Sequence, residues 1–168
     1  ASSDNSNPGS GAVYVYKRTG TTWAQEAYFK ASNNDGLGSH TYENYGSGVT
    51  LSGDTLAVAT YGEDSNQTTI TMGTSASSDN SYVMAGAVYV YKRTGSSWAQ
   101  EAYIKASNNV ASLVFGSSAD ISGLTIVVGS SNEGSNQTTI TNSWYSNSDT
   151  SSAQSGAVYV YTFTGQKT

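Results

Sequence analysis

Hydrophobic and polar positions alternate with a period of two in three separated places, and all three share one sequence. Gly-Ala-Val-Tyr-Val-Tyr begins at Gly11, Gly86 and Gly156, at spacings of 75 and 70 residues. In the first copy Val13 and Val15 fall on one side, and Ala12, Tyr14 and Tyr16 on the other. Side chains of an extended chain point alternately to its two faces. Both faces therefore carry apolar or aromatic bulk, as in a strand covered on both sides. Thr19-Gly20 and Thr94-Gly95 then turn the chain into Trp-Ala-Gln-Glu-Ala-Tyr, which starts at Trp23 and Trp98. Each pair predicts a hairpin. No stretch shows capped helical periodicity.

A second block also repeats. Residues 45–71 match residues 115–141 without a gap. Within it, residues 49–51 and 56–59 flank Ser52-Gly53-Asp54 and predict another hairpin. One repeat is thus four short strands in two hairpins. Four-stranded sheets in tandem, apolar on both faces, form the pattern of β-propeller blades packed face to face. The expected fold is all-β, a single repeat domain over residues 1–168. It divides into an outer hairpin of an incomplete blade (1–34), a complete blade (45–109) and a blade lacking its fourth strand (115–168). A closed propeller needs about four to eight blades, and this chain supplies about two and a quarter. Both ends are therefore expected to expose strand edges and apolar faces, completed by neighbouring subunits. The alternative is a piece of a larger propeller.

The order Tyr45-Gly46 or Phe115-Gly116, then VTLSGDTLAVATYGEDSN, a long loop, SGAVYVY and WAQEAYFKAS resembles bacterial FG-GAP repeats, relatives of the integrin α-subunit blades. The resemblance covers nearly the whole chain. It implies propeller blades and the settings in which such repeats occur, namely adhesins, surface proteins and large extracellular proteins. The integrin-type calcium loop, Asp-x-Asp-x-Asp-Gly, has no counterpart here.

Composition narrows the function classes. Charged residues make up only 11%, so Ser, Thr and Asn carry the solubility of the surface. Seven basic residues, a net charge of -5 and no basic cluster give no electrostatic footprint for nucleic acid or an anionic membrane. The absence of cysteine excludes disulfides, thiolate catalysis and Cys-type zinc sites. No apolar run approaches the roughly 20 residues of a membrane-spanning helix. Long Ser/Thr/Asn loops and an Ala1-Ser2-Ser3 opening suggest a secreted chain with a processed N-terminus, placed outside the cell or on its surface. Cofactor motifs and catalytic constellations are lacking, so an enzyme is not expected. His40 is the single histidine and reads as surface decoration. The Trp and Tyr residues recur at positions that need bulk, which favours core packing over a sugar-binding surface.

Candidate chemistry concentrates in the long loops. Glu63, Asp64 and Asn66 open the first, and Glu133 and Asn136 the second. Asp4, Asp79 and Asp149 each stand seven residues before the repeated glycine. Carboxylates and amide oxygens at both ends of one loop suit the hard-oxygen shell of Ca2+. The alternative is that Asp and Asn form side-chain-to-backbone turns. Asn66-Gln67-Thr68 and Asn136-Gln137-Thr138 are glycosylation sequons, candidates for modification at Asn66 and Asn136. Glu26 and Glu101 stand near Lys30 and Lys105 at even spacing, which predicts cross-strand ion pairs. The leading functional expectation is an extracellular structural protein that polymerises with copies of itself. The alternative is a calcium-dependent, adhesin-like module that recognises glycan or a cell-surface protein.

Overall fold

Valine, tyrosine, threonine and alanine recur in the extended segments, and two-residue turns at Gly20, Gly53, Gly95 and Gly123 fold pairs of them into hairpins, with longer loops between the pairs. The computed structural model describes residues 6–34, 42–143 and 146–163. Its strands are β1 (Val13–Thr19), β2 (Thr22–Phe29), β3 (Gly48–Ser52), β4 (Thr55–Thr60), β5 (Thr71–Met72), β6 (Ala87–Thr94), β7 (Ser97–Ile104), β8 (Phe115–Ser122), β9 (Thr125–Ser130) and β10 (Ala157–Thr162). They form three antiparallel sheets, ordered β1-β2, β3-β4-β6-β7-β5 and β10-β9-β8. The fold is all-β, with no helix among the described residues. His40 and Asp4 lie outside those residues.

The central sheet departs from the expected four strands. Thr71 and Met72, inside the long loop, pair with Tyr103 and Ala102 and add a short fifth strand beside β7. Gly73 extends the contact by donating its N–H to the carbonyl of Glu101, at 2.7 Å. The loop thereby covers part of an edge that would otherwise present free backbone groups.

A second departure corrects the predicted ion pairs. Val15 faces Ala27 but Tyr16 faces Gln25, and Val90 faces Ala102 but Tyr91 faces Gln100. Glu26 and Glu101 are therefore the extra residues of two equivalent β-bulges, which break the period of two that the expectation relied on. Glu26 pairs instead with Arg93 of the next repeat, at 3.1 Å. Lys105 pairs with Glu63, at 2.5 Å.

Two apolar clusters hold the three sheets in series. In the first contact, Val13 and Phe29 of the β1-β2 hairpin pack against Tyr45, Leu56, Tyr89 and Tyr91. In the second, Val88, Val90 and Ile104 pack against Phe115, Ile126 and Val128, with Tyr159 and Tyr161 beside them. Each sheet thus has a valine face and a tyrosine face. The valine face of one repeat is covered by the tyrosine face of the next. Tyr45 meets Tyr89 edge-on with centroids 5.3 Å apart, and Phe115 meets Tyr159 in the same way at 5.2 Å.

Glycine sets how closely the repeats approach. A Cβ on Gly86 would stand 1.9 Å from the carbonyl oxygen of Phe115, and one on Gly11 would stand 2.1 Å from that of Tyr45. The third copy, Gly156, has nothing nearer than 3.7 Å. All three have positive φ, at 71°, 84° and 75° for Gly11, Gly86 and Gly156. Gly156→Ala is thus expected to cost only the left-handed backbone penalty, about 1–2 kcal/mol. Gly86→Ala must also push two repeats apart and is expected to cost more than about 4 kcal/mol. Chemical denaturation of the two variants checks this; equal losses would mean that the close approach is not needed.

Candidate functional site

The recurring geometry of the long loops begins with a glutamate immediately after the second strand of a repeat. Glu63 follows β4 and is wholly buried, although a lone carboxylate in an apolar interior is costly. Its oxygens are satisfied from three directions. Lys105, just beyond β7, reaches one oxygen at 2.5 Å, and the Tyr103 hydroxyl donates to the other at 2.5 Å. Asn33, from the end of the preceding hairpin, donates its amide at 3.2 Å, and the Ser65 N–H closes a local turn at 3.2 Å. Asn33 also donates to the Ser77 carbonyl at 2.6 Å and accepts from the Tyr89 hydroxyl. One buried carboxylate therefore ties the loop to its own fourth strand and to the previous repeat.

Burial works on these groups in opposite directions. Desolvation pushes the Lys105 ammonium below the usual lysine range, and Glu63 pulls it partly back. Desolvation first, and then the charge of Glu63, pushes the phenols of Tyr103 and Tyr89 far above the usual tyrosine value.

Most of the network recurs around Glu133, which is 3% exposed. Asn108 donates to it at 3.0 Å, and the Ser135 N–H and hydroxyl donate at 3.1 and 3.0 Å. Asn108 also donates to the Asn147 carbonyl at 2.8 Å and accepts from Tyr159 at 2.7 Å. Among the described residues no cation stands within ion-pair distance of Glu133.

The aspartates at the far ends of the loops do something different. Asp79 accepts from the Asn66 N–H at 3.0 Å, the Ser81 N–H at 3.1 Å and the Ser81 hydroxyl at 2.7 Å. Asp149 repeats this with the Asn136 N–H at 3.1 Å and the Ser151 hydroxyl at 2.7 Å. These donors, the serine hydroxyl foremost, hold both carboxyls below the usual aspartate range. Asp64 accepts the Met84 N–H at 2.7 Å. Asn66 and Asn136 are exposed, as sequons require, and their N–H groups are the ones clamped by the aspartates.

This donor set does not fit a calcium ion. Glu63 faces an ammonium, a phenol and an amide, while Asp79 and Asp149 face N–H and O–H donors rather than one another. Among the described residues no three His, Cys, Asp or Glu side chains gather where they could hold a metal. The fixed aspartate-to-glycine spacing serves loop closure: Gly86 and Gly156 donate to the carbonyls of Glu63 and Glu133, each at 2.8 Å.

Asn33 and Tyr103 were not singled out from the sequence, and Lys105 was expected there to pair with Glu101 rather than with Glu63. The available signal was the repeated Lys-Ala-Ser-Asn-Asn at Lys30 and Lys105. Comparison with family models, with curated proteins and with solved structures finds no match.

Proposed function

We propose that this chain is an extracellular structural subunit that assembles head to tail with copies of itself, and that its repeats are FG-GAP-like propeller blades. The observation that carries the reading is a pair of open faces at opposite ends of the molecule. In the middle repeat, Tyr89 and Val88 are both 0% exposed, because one neighbour covers the tyrosine face and the other the valine face. In the first repeat the equivalent Tyr14 is 45% exposed and Tyr16 is 53% exposed. In the third, Val158 and Val160 are 68% and 65% exposed. Faces that twice cover each other inside the molecule are thus both left open at its ends. Contiguous apolar faces of this kind mark association surfaces. A contact between two different faces is heterologous and grows a filament unless its rotation closes a ring. Solubility through Ser, Thr and Asn rather than through charge supports the extracellular assignment.

Light scattering across a concentration series, with negative-stain electron microscopy of the same samples, tests the reading. Assemblies that lengthen with concentration are expected from the native chain. The double variant Val158→Lys with Val160→Lys alters exposed positions and is expected to stay monomeric and folded. A native chain that remains monomeric at every concentration would overturn it.

A further inference from the structure

Resting on that self-assembly reading, we infer that β10 of one copy replaces β1 of the next as the partner of β2, and that Lys30 of the second copy then closes on Glu133 of the first. β1 and β10 carry the same Val-Tyr-Val-Tyr, and β2 is nearly identical to β7. β2 now pairs with β1 as Val13 to Phe29, Tyr14 to Tyr28 and Val15 to Ala27. Val158, Tyr159 and Val160 offer the same side chains in the same order. Among the described residues the edge of β10 away from β9 has no strand beside it. The exchange therefore trades backbone pairing like for like, and the contacts around it decide the direction.

Those contacts favour β10. In the middle repeat Tyr103 and Lys105 reach Glu63 from the fourth strand and the residues after it. Glu133 is the equivalent carboxylate of the third repeat, buried and without a cation among the described residues. Among the described residues that repeat has no fourth strand to bring one, and β2 supplies its like: Tyr28 and Lys30 are the equivalents of Tyr103 and Lys105. In the single chain Lys30 already has partners, the Ser10 hydroxyl and the Gly11 carbonyl among them, beside the start of the strand that the exchange removes. Moving it to Glu133 pairs two charges in a buried setting already built once in this chain.

The faces agree with the edge. With β10 in the place of β1, Gly156 takes the seat of Gly11 against Tyr45, for which a glycine is required. Val158 and Val160 then lie over the Tyr89 and Tyr91 face of the second copy, as Val13 and its neighbours do now. β8 and β9 arrive with β10. A two-stranded hairpin is thereby replaced by a four-stranded sheet shared between two chains, a domain-swapped contact of head-to-tail kind.

The chain has no cysteine, so engineered pairs report cleanly. Lys92 faces Ala99 across β6 and β7, and the exchange puts Thr162 of one copy opposite Ala24 of the next in the same register. Facing Cβ atoms in such a pair are close enough for a disulfide. Thr162→Cys and Ala24→Cys single variants, both at exposed positions, would be mixed and mildly oxidised, and the link located by mass spectrometry of the digested product. A disulfide between the two introduced thiols, joining one chain to the other, is expected. Its yield should fall severalfold when the Thr162→Cys variant also carries Glu133→Gln or the Ala24→Cys variant also carries Lys30→Met. Assemblies that form without this link would overturn the exchange and leave head-to-tail stacking standing. No association at all would overturn both. A link formed equally well by the Glu133→Gln and Lys30→Met variants, each shown to be folded by near-ultraviolet dichroism, would overturn the role of the ion pair.

Discussion

Lys105→Met is expected to cost about 3–5 kcal/mol, because it leaves the carboxylate of Glu63 buried without its cation. Both side chains are essentially sealed from water, at 0% and 1% exposure for Lys105 and Glu63. Methionine nearly matches the stem in volume, so little of the loss comes from packing. The missing ammonium strands a charge that Tyr103, Asn33 and Ser65 solvate only in part. In a chain of this size each kcal/mol moves the melting temperature by about 2–4 °C, so a drop of at least about 6 °C should be seen. The double variant Lys105→Met with Glu63→Gln removes both charges and keeps an acceptor for Tyr103. Replacing a buried pair by neutral groups of similar shape is often close to neutral, so this variant is expected to recover most of the loss. Glu63→Gln alone should fall between them, since it strands a lysine that can shed its proton. Denaturant titrations of the three variants settle the order. A Lys105→Met chain as stable as the native one would mean that the pair holds nothing together.

The all-β fold and its hairpins were legible because the relevant signals are local. Alternating valine and tyrosine, with Thr-Gly and Ser-Gly between the runs, specify strands and turns within about ten residues. The repeat then carried each assignment from one copy to the next. The bulges at Glu26 and Glu101 were not legible, since one inserted residue leaves no mark on an Ala-Gln-Glu-Ala-Tyr string. Missing them misplaced every ion pair on those strands. The fifth strand was hidden in Thr-Thr-Ile-Thr-Met, whose pairing depends on the exposed edge of β7 rather than on its own sequence. The candidate site was legible in position but not in chemistry. Glu63 and Asp79 were picked out by spacing, which cannot tell whether a carboxylate will meet a cation, an ammonium or a peptide N–H. Asn33 and Lys105 belong to different repeats of the chain, and only the stacking of sheets brings both to Glu63.

The buried phenols of the middle repeat should make the fold fail at alkaline pH. Tyr45, Tyr89, Tyr91 and Tyr103 are each no more than 5% exposed. Burial, the largest cause in every case, pushes Tyr91 up to about 12 and the other three higher still. An unfolded tyrosine ionises near about 10. Their contribution to stability is therefore fully present below about pH 10, where neither state has ionised. Above that value the unfolded chain loses protons that the folded chain keeps, and the contribution drains away towards the folded values. Each tyrosine then costs about 1.4 kcal/mol per pH unit, so four together cost roughly 5. Lys105 acts in the opposite sense. Its folded value is depressed, so the unfolded chain holds the extra proton between that value and about 10.4, and stability rises with pH across this window. One lysine offsets one tyrosine at most. Net stability is thus expected to hold or rise slightly up to about pH 10 and to collapse within about two further units, given a total of about 5–15 kcal/mol for an ordinary domain. Denaturant midpoints taken across the alkaline range, with tyrosinate absorbance followed in the same samples, test the account. The absorbance of the buried set should rise together with unfolding. Buried tyrosines that ionise while the sheets stay intact would show that water reaches the repeat interfaces.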